Sequence, residues 1–348
     1  MKTKDGLIKA ILKEIELNRH YLKNKIIDSV YIGGGTPSLL SAMEIDRILN
    51  KINKYFIYNK NIEITLEANP DDVNNKYLLE LKSAGINRFS MGVQSFHNNE
   101  LILLNRSHDS YKAVQSLTLI KEAGFENTNI DLIFGIPGSS LDDWKKNLDI
   151  FLKTDIPHLS CYNLTIEPKT ILAYRIKTGK LDTVNDDLSA QMFSYTHKLL
   201  TKNNFEHYEI SNYAIAGKHA LHNTNYWLRE PYLGLGPSAH SFNGNSRQWN
   251  IANNRKYIES INNNKIPKTI EILTPQDKYN EYIMTGMRTM WGVNIIKIRD
   301  LGDNFFRHFN TNIPLFIKDG MIIRNNNEYV LSEKGLLYAD RISSELFY

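Results

Sequence analysis

A histidine stands close to two large aromatic residues in the stretch His222-Asn223-Thr224-Asn225-Tyr226-Trp227. An imidazole nitrogen is a common axial ligand of haem iron, and flat aromatic rings can cover a porphyrin. The same pattern also fits a polar residue that caps a core tryptophan, so the spacing alone leaves both interpretations open. The surrounding sequence predicts an irregular segment at the surface, with an exposed imidazole.

A second set of candidate residues follows the predicted strands of the first 210 residues. The loop Gly33-Gly34-Gly35-Thr36 can turn its N–H groups toward a ligand with no Cβ in the way, although a tight turn is an equal alternative. The spacing of its glycines matches neither the dinucleotide-binding fingerprint nor the P-loop motif. More polar groups stand at or beside later strand ends: Glu67, Gln94, Arg106, Asp131 and Glu167. Because such ends meet at one edge of a parallel sheet, they predict a shared site.

The elements that would position these residues are visible as alternating patterns. Strand-like runs cover 29–32, 62–67, 88–93, 129–134, 158–164 and 207–210. Amphipathic helical patterns cover 41–54, 76–84, 111–123, 141–153 and 187–202. Repeated βα units of about 30 residues predict an α/β fold of parallel strands with helices outside, either a barrel or an open sheet.

Two further segments follow this 1–210 region. Residues 211–269 are rich in aromatic residues and glycine, which predicts an extended connecting segment that carries the His222 stretch. Residues 270–348 predict a small helical, winged-helix-like module, with helices at 276–290, 295–301 and 333–346 and a hairpin near 325–327. Its nine Lys and Arg against ten Asp and Glu give a charge of −1, which disfavours a DNA-binding role, so we expect no nucleic-acid partner.

The composition places the chain among globular proteins of the cytoplasm. Its 42 basic and 38 acidic residues are too evenly balanced to predict a polyanion-binding surface. No stretch approaches the roughly 20 apolar residues of a membrane span, and the amino terminus does not have the pattern of a signal peptide. The single cysteine, Cys161, excludes an internal disulfide, fits a reducing compartment and is expected to be a buried thiol.

Six motifs in a fixed order carry a family resemblance: Gly-Gly-Gly-Thr-Pro, Glu-Ala-Asn-Pro, Met-Gly-Val-Gln-Ser-Phe, Leu-Asn-Arg-Ser-His, Asp-Leu-Ile-Phe-Gly-Ile-Pro-Gly and Gly-Leu-Gly-Pro-Ser-Ala-His-Ser-Phe. Together they resemble the radical S-adenosylmethionine (SAM) family of oxygen-independent coproporphyrinogen III oxidases and their relatives. The string at 222–227 resembles the HemW-type haem chaperone branch of that family. The resemblance spans nearly the whole chain and implies a partial parallel (β/α) barrel of radical-SAM type.

The resemblance also implies roles for the candidate residues. It assigns the methionine end of SAM to Gly34, Gly35 and Thr36, and the rest of that cofactor to Glu67, Gln94, Arg106 and Asp131. It assigns haem to His222, Tyr226 and Trp227, with His222 as the ligand of the haem iron. The implied function is to bind haem and deliver it to an apo-haemoprotein. A respiratory enzyme of the membrane is one candidate recipient, and it would bring the protein to the membrane through that partner.

One departure from the family pattern concerns its Cys-x-x-x-Cys-x-x-Cys motif, which holds a 4Fe-4S cluster on the loop after the first strand. That motif is expected just upstream of the helix that begins near Leu7, and this sequence does not contain it. We therefore expect a barrel without its first strand, and a 4Fe-4S cluster only in a longer form. Truncation is favoured over evolutionary loss, because a missing first strand would leave an unpaired sheet edge.

The enzyme alternative is a coproporphyrinogen III oxidase or dehydrogenase, which decarboxylates porphyrinogen propionates with a 5'-deoxyadenosyl radical. Without the cluster cysteines the chain as given is not expected to generate that radical, so the sequence leaves open whether it is an enzyme. Incubation of the complete protein with coproporphyrinogen, followed by a search for decarboxylated product, distinguishes the two functions. The sequence does not predict the oligomeric state.

Overall fold

The structure is a computed structural model that describes residues 2–183 and 185–348. Its α-helices, α1 to α15 in chain order, are Lys2–Leu17, Ala42–Asn53, Asn75–Ser83, Asn98–Leu103, Ser110–Glu122, Leu141–Lys153, Ile171–Lys177, Asp186–Lys202, Leu221–Trp227, Asn254–Asn262, Pro275–Met287, Ile295–Leu301, Asp303–Lys318, Glu333–Leu336 and Ala339–Glu345. Its strands, β1 to β13, are Ile26–Ile32, Ile57–Ala68, Arg88–Gln94, Asn127–Phe134, His158–Asn163, Phe205–Glu209, Asn212–Ile215, His240–Phe242, Ser246–Asn250, Lys268–Ile272, Val293–Asn294, Ile322–Asn325 and Glu328–Leu331.

The largest sheet has seven strands in the order β1-β2-β3-β4-β5-β7-β6. Strands β2 to β5 pair in parallel, whereas β7 pairs antiparallel with both β5 and β6. This sheet confirms the predicted α/β partial barrel. The sequence patterns missed β7, because its four residues are too short to show a period.

Apolar alternation and helix caps explain why these elements form. Along β3, Phe89, Met91 and Val93 are fully buried, which is the arrangement expected of a strand inside a parallel sheet. A capping box begins α2 at Ser41, and another begins α6 at Ser140. In each box the serine side chain accepts from a backbone N–H of the first turn, and the acidic side chain of that turn accepts from the backbone N–H of the serine. These signals place α6 at the bounds that the sequence predicts, 141–153.

The described chain divides into two compact units. The first contains the residues up to Val30, Leu40–Glu63 and Leu221–Tyr348, and the second contains Tyr31–Leu39 and Ile64–Ala220. The segment boundaries near 210 and 269 follow sequence patterns and stay a prediction. Residues 211–269 differ from the predicted extended segment, because β7, α9, β8, β9 and α10 lie within them. Strand β9 pairs with both β8 and β10, and such pairing is invisible in short stretches of sequence.

The carboxyl-terminal module is confirmed as helical with a small sheet, in the order β11-β13-β12. Its core packs aromatic and aliphatic residues from α11, α12, α13 and α15, among them Tyr279, Ile298, Phe309 and Ile342. The sequence patterns missed α13, and the predicted closing helix is divided into α14 and α15. Within the described residues, no helix combines the length and the apolar character that crossing a membrane requires.

Candidate functional site

The carboxylate of Glu67 lies near the carboxyl end of β2 and is held by two donors. The Tyr31 hydroxyl donates to Glu67 Oε1 at 2.7 Å, and the Gly34 N–H donates to Glu67 Oε2 at 2.9 Å. Burial and the neighbouring Glu67 charge raise the pKa of Tyr31, so its hydroxyl keeps its proton and remains a donor. Glu67 is therefore fixed in position against the loop that follows β1.

The glycine loop after β1 is tight on one side and open on the other. A Cβ on Gly33 would lie 2.4 Å from the Tyr31 ring and 2.7 Å from Glu67 Oε1, so this close approach requires glycine. Gly34 and Gly35 have φ values of +78° and +65°, and a Cβ on either would meet no atom within 4 Å. Thr36 is exposed. The open side is where a ligand could contact the backbone.

Asp131 in β4 is the most perturbed carboxylate of this region. Its Oδ1 accepts from Asn129 Nδ2 at 2.7 Å, and its Oδ2 accepts from Ser90 Oγ at 3.2 Å. Burial and the Glu67 charge raise the pKa of Asp131, hydrogen bonds from Asn129, Ser160 and Ser90 oppose the rise, and the resulting pKa is about 6. The effect of Glu67 places the two carboxylates within electrostatic range of each other.

Gln94 and Arg106 meet above Gly92 at the end of β3. Arg106 Nη2 donates to Asn69 Oδ1 at 2.7 Å and to the Gly92 carbonyl at 3.2 Å. A Cβ on Gly92 would lie 2.9 Å from Gln94 Nε2 and 3.4 Å from Arg106 Nη2, so both side chains cover this glycine. Gln94 has a φ of +69°, a backbone strain that is common at functional sites.

Electrostatic interactions relate Glu67 to Asp131 and Asp131 to Arg106. We define the strand-end site as the residues that the sequence predicts to share this sheet edge and to bind SAM, which are Gly34, Gly35, Thr36, Glu67, Gln94, Arg106 and Asp131. Burial lowers the pKa of Arg106, and the charges of Asp71 and Asp131 oppose that change. Glu167 is exposed in the loop beyond β5. Cys161 is buried in β5, in agreement with the expected buried thiol, and burial raises the pKa of that thiol.

The described residues do not offer a ligand set for an iron-sulfur cluster. Across 2–183 and 185–348, no three His, Cys, Asp or Glu side chains are grouped so that they could hold a metal ion. A 4Fe-4S cluster needs about three or four thiolates. The described residues therefore do not fit a 4Fe-4S cluster, whereas the strand-end site offers carboxylates, amides and open backbone that fit SAM.

His222 lies in the short helix α9 and is held by two distant residues. Its Nδ1 is 2.8 Å from Ser29 Oγ. The N–H groups of Leu221 and His222 donate to the two carboxylate oxygens of Glu63 at 2.9 and 3.0 Å. The prediction of an irregular segment with an exposed imidazole was wrong, because α9 is helical and His222 is half-buried.

The two aromatic residues of this string have different surroundings. The Tyr226 ring lies 4.8 Å from the His222 ring in an edge-on arrangement and is 42% exposed. Trp227 is half-buried, with the Arg288 guanidinium 5.7 Å from its ring. Its Nε1 is buried and has no hydrogen-bond partner among the described residues. The structure therefore brings Tyr226 to His222, whereas Trp227 packs against Arg288, the residue that follows α11.

Sequence reasoning missed Ser29 and Glu63, which hold His222, and Tyr31 and Asn69, which hold groups of the strand-end site. One signal was available for Glu63. It is an acidic residue between two isoleucines of a strand, and it is only 6% exposed. A buried carboxylate needs donors, and in this chain the donors are the first N–H groups of α9. No comparable signal marks Ser29.

Comparisons with known proteins agree on one family. The Radical SAM superfamily matches residues 6–151, and the HemN C-terminal domain matches residues 273–338. The chain is 30% identical to heme chaperone HemW of Lactococcus lactis subsp. lactis (strain IL1403), over 95% of this chain and 86% of that protein. It is 31% identical to heme chaperone HemW of Bacillus subtilis (strain 168), over 91% and 84%. In fold it resembles coproporphyrinogen III oxidase (HemN) from Escherichia coli, with a TM-score of 0.84 at 22% identity over 99% and 83% of the two chains.

Proposed function

Because the chain belongs to the HemW family of radical SAM proteins, we propose that it is a haem chaperone, which binds haem and delivers it to apo-haemoproteins. The observation that carries the proposal is the fixed imidazole of His222 beside the exposed ring of Tyr226. An imidazole that binds a metal usually has its other nitrogen held by a hydrogen bond. Ser29 Oγ lies 2.8 Å from Nδ1, so in this proposal Nε2 would be the nitrogen that binds the iron.

The residues around His222 have distinct tasks in this proposal. Glu63 accepts from the first N–H groups of α9 and so fixes the helix that carries the imidazole. Tyr226 offers an exposed aromatic edge to the porphyrin. Trp227 contributes through its half-buried ring, whose Nε1 has no hydrogen-bond partner among the described residues and is one donor that a bound ligand could satisfy.

Absorbance titration with haem tests the role of His222. We expect the unchanged chain to shift the haem spectrum, and His222→Ala to weaken binding at least about tenfold, since a ligand bond to iron is lost. His20→Ala is the control, because His20 is an exposed histidine in the same compact unit. An unchanged spectrum in the His222→Ala variant would rule out this site.

We also propose that the strand-end site binds SAM. The radical SAM superfamily implies SAM with a 4Fe-4S cluster, and the two bound together would supply one-electron cleavage of the sulfonium. Gly34, Gly35 and Thr36 would face the methionine end through open backbone. Glu67 and Asp131 would accept from amine and ribose donors, and Gln94 and Arg106 would hydrogen-bond the remaining polar groups.

Calorimetric titration with SAM tests this site without any reaction. We expect Glu67→Gln and Asp131→Asn each to weaken SAM binding about tenfold, because each removes a charged acceptor. Glu80→Gln is the matched control, since Glu80 is exposed on α3. Equal affinities in all four proteins would show that SAM does not bind here.

The recipient of the haem is proposed to be an apo-haemoprotein. A respiratory enzyme of the membrane is the first candidate, and it would bring this chain from the cytoplasm to the membrane. Incubating the haem-loaded chain with membranes from haem-starved cells tests the transfer. We expect cytochrome absorbance to appear in the membranes, and to be reduced when the chain carries His222→Ala. Membranes that gain haem equally from the loaded chain and from free haem would contradict delivery.

A further inference from the structure

A row of aromatic rings runs from His222 across the first compact unit. Ring centroids are separated by 4.8 Å between His222 and Tyr226, by 4.4 Å between Tyr226 and Tyr232, and by 6.3 Å between Tyr232 and Phe242. Paired backbone hydrogen bonds of 2.9 Å fix Tyr232 against Phe242. The rings therefore form a continuous series of contacts from His222 to Phe242, in which Tyr226 is 42% exposed and Phe242 is only 3% exposed.

Two arginines stand at the far end of this row. The guanidinium carbons of Arg229 and Arg247 lie 5.7 and 5.5 Å from the centroid of the Phe242 ring. Both arginines pair with one carboxylate, with Arg229 Nη2 at 3.1 Å from Glu281 Oε2 and Arg247 Nε at 2.9 Å from Glu281 Oε1. Two positive groups against one negative group leave one positive charge in excess.

The excess charge is only partly satisfied within the chain, where Arg229 Nη1 also donates to the Lys278 carbonyl at 2.9 Å. Burial lowers the pKa of Arg229, Glu281 opposes that change, and the like charge of Arg247 adds to it. The Nε atom of Arg229 is buried and has no hydrogen-bond partner among the described residues. Arg247 keeps 32% of its side chain exposed, compared with 16% for Arg229 and Glu281. An incoming anion would therefore meet Arg247 first.

We propose that Arg229 and Arg247 bind the propionate carboxylates of the haem that His222 holds, an assignment that rests on the proposed function. The planar guanidinium group matches a carboxylate with two parallel hydrogen bonds, and it is suited to a partly buried site. In this proposal His222 would hold the iron, and the propionates would extend to Arg229 and Arg247. Without haem, Glu281 pairs with both arginines. When haem binds, the propionates and Glu281 would pair with the same two arginines.

A purely structural role for the arginines predicts a different result. In that role, Glu281 ties the segment after α9 to α11, and neutralising Glu281 would loosen the haem site. In the propionate role, Glu281 competes with the ligand for the same two cations, so its neutralisation would strengthen haem binding. The sign of the Glu281→Gln effect therefore separates the two roles.

The test compares haem with its dimethyl ester, in which both propionate charges are removed, by absorbance titration of the full chain. We expect the unchanged chain to prefer haem about tenfold, and Arg247→Gln to abolish that preference while ester affinity changes less than about twofold. Arg247→Lys keeps the charge and should retain part of the preference. Arg341→Gln is the matched control, because Arg341 is an exposed arginine paired with Glu345 in the same unit.

Glu281→Gln is expected to tighten haem binding about threefold and to leave ester binding unchanged. Thermal melts followed by circular dichroism identify any variant that is poorly folded, and the Glu281→Gln result then decides. Equal weakening of haem and ester by Arg247→Gln, or weaker haem binding with Glu281→Gln, would overturn the propionate assignment alone. Failure of the unchanged chain to bind haem would instead overturn the proposed function.

Discussion

Asp131 and its partners stand on adjacent strands of one sheet, whereas His222 is held by Glu63 and Ser29, which lie 159 and 193 positions earlier in the chain. Backbone pairing fixes the strand-end site, because each strand end is placed by its neighbours. Side-chain hydrogen bonds fix the His222 site. The first arrangement should tolerate loss of a single surface contact, whereas the second should depend on one or two distant residues.

The largest effect on the free energy of unfolding is expected at Asn129, where the strand-end site meets the core. This residue is 2% exposed and accepts from His158 and Ser160 while it donates to Ser90 and Asp131. Asn129→Ala would leave several buried polar groups unpaired and should lower the free energy of unfolding by about 4 kcal/mol.

Urea unfolding followed by circular dichroism measures this change. Asn61→Ala is the control, because Asn61 is exposed on β2, and it should change the free energy by less than about 0.5 kcal/mol. A loss at Asn129 no larger than the loss at Asn61 would mean that backbone pairing alone holds the strand ends. The contrast between the two sites would then be sharper than we propose.

A smaller effect should appear as a pH dependence at Asp131. Its folded-state pKa is raised from 3.8 to about 6, so between these values the folded chain retains a proton that the unfolded chain releases. Stability therefore falls as the pH rises from about 4 to about 6, by about 3 kcal/mol, and remains lower at higher pH. Below pH 4 both states are protonated and the slope vanishes.

The difference in unfolding free energy between the unchanged chain and Asp131→Asn separates the contribution of Asp131 from that of the other titrating groups. That difference should change by about 3 kcal/mol between pH 4 and 7, because only the unchanged chain loses stability as the pH rises. Asp149→Asn, at an exposed position on α6, should show no such shift. A flat difference for Asp131→Asn would indicate that its neighbours stabilise the ionised form in full.

The contrast between the two sites also explains what the sequence could predict. The strand-end residues follow strands whose period and length are visible locally, so topology alone brings Glu67, Gln94 and Asp131 to one edge. The bounds of α6 were equally predictable from its capping residue. The helix at His222, by contrast, depends on Glu63, a contact between residues that no local pattern connects. Its helical state and partial burial were therefore missed.

The smallest effect on stability is expected at Glu63, where the His222 site should show its dependence on one residue. Glu63→Gln keeps one acceptor oxygen for the N–H groups of Leu221 and His222 but removes the charge at the start of α9. The loss of unfolding free energy should be about 1 kcal/mol. Haem affinity should fall about threefold, because α9 positions the imidazole, whereas SAM affinity should not change.

Titration of the same Glu63→Gln preparation with haem and with SAM provides the measurement, and Glu80→Gln serves as the matched surface control. A fall in haem affinity alone would establish that the His222 site depends on a single distant carboxylate. Parallel losses of haem and SAM affinity would show instead that Glu63 supports the strand β2 in which it lies. In that case the two sites share one scaffold, and the distinction between backbone-held and side-chain-held geometry fails at this residue.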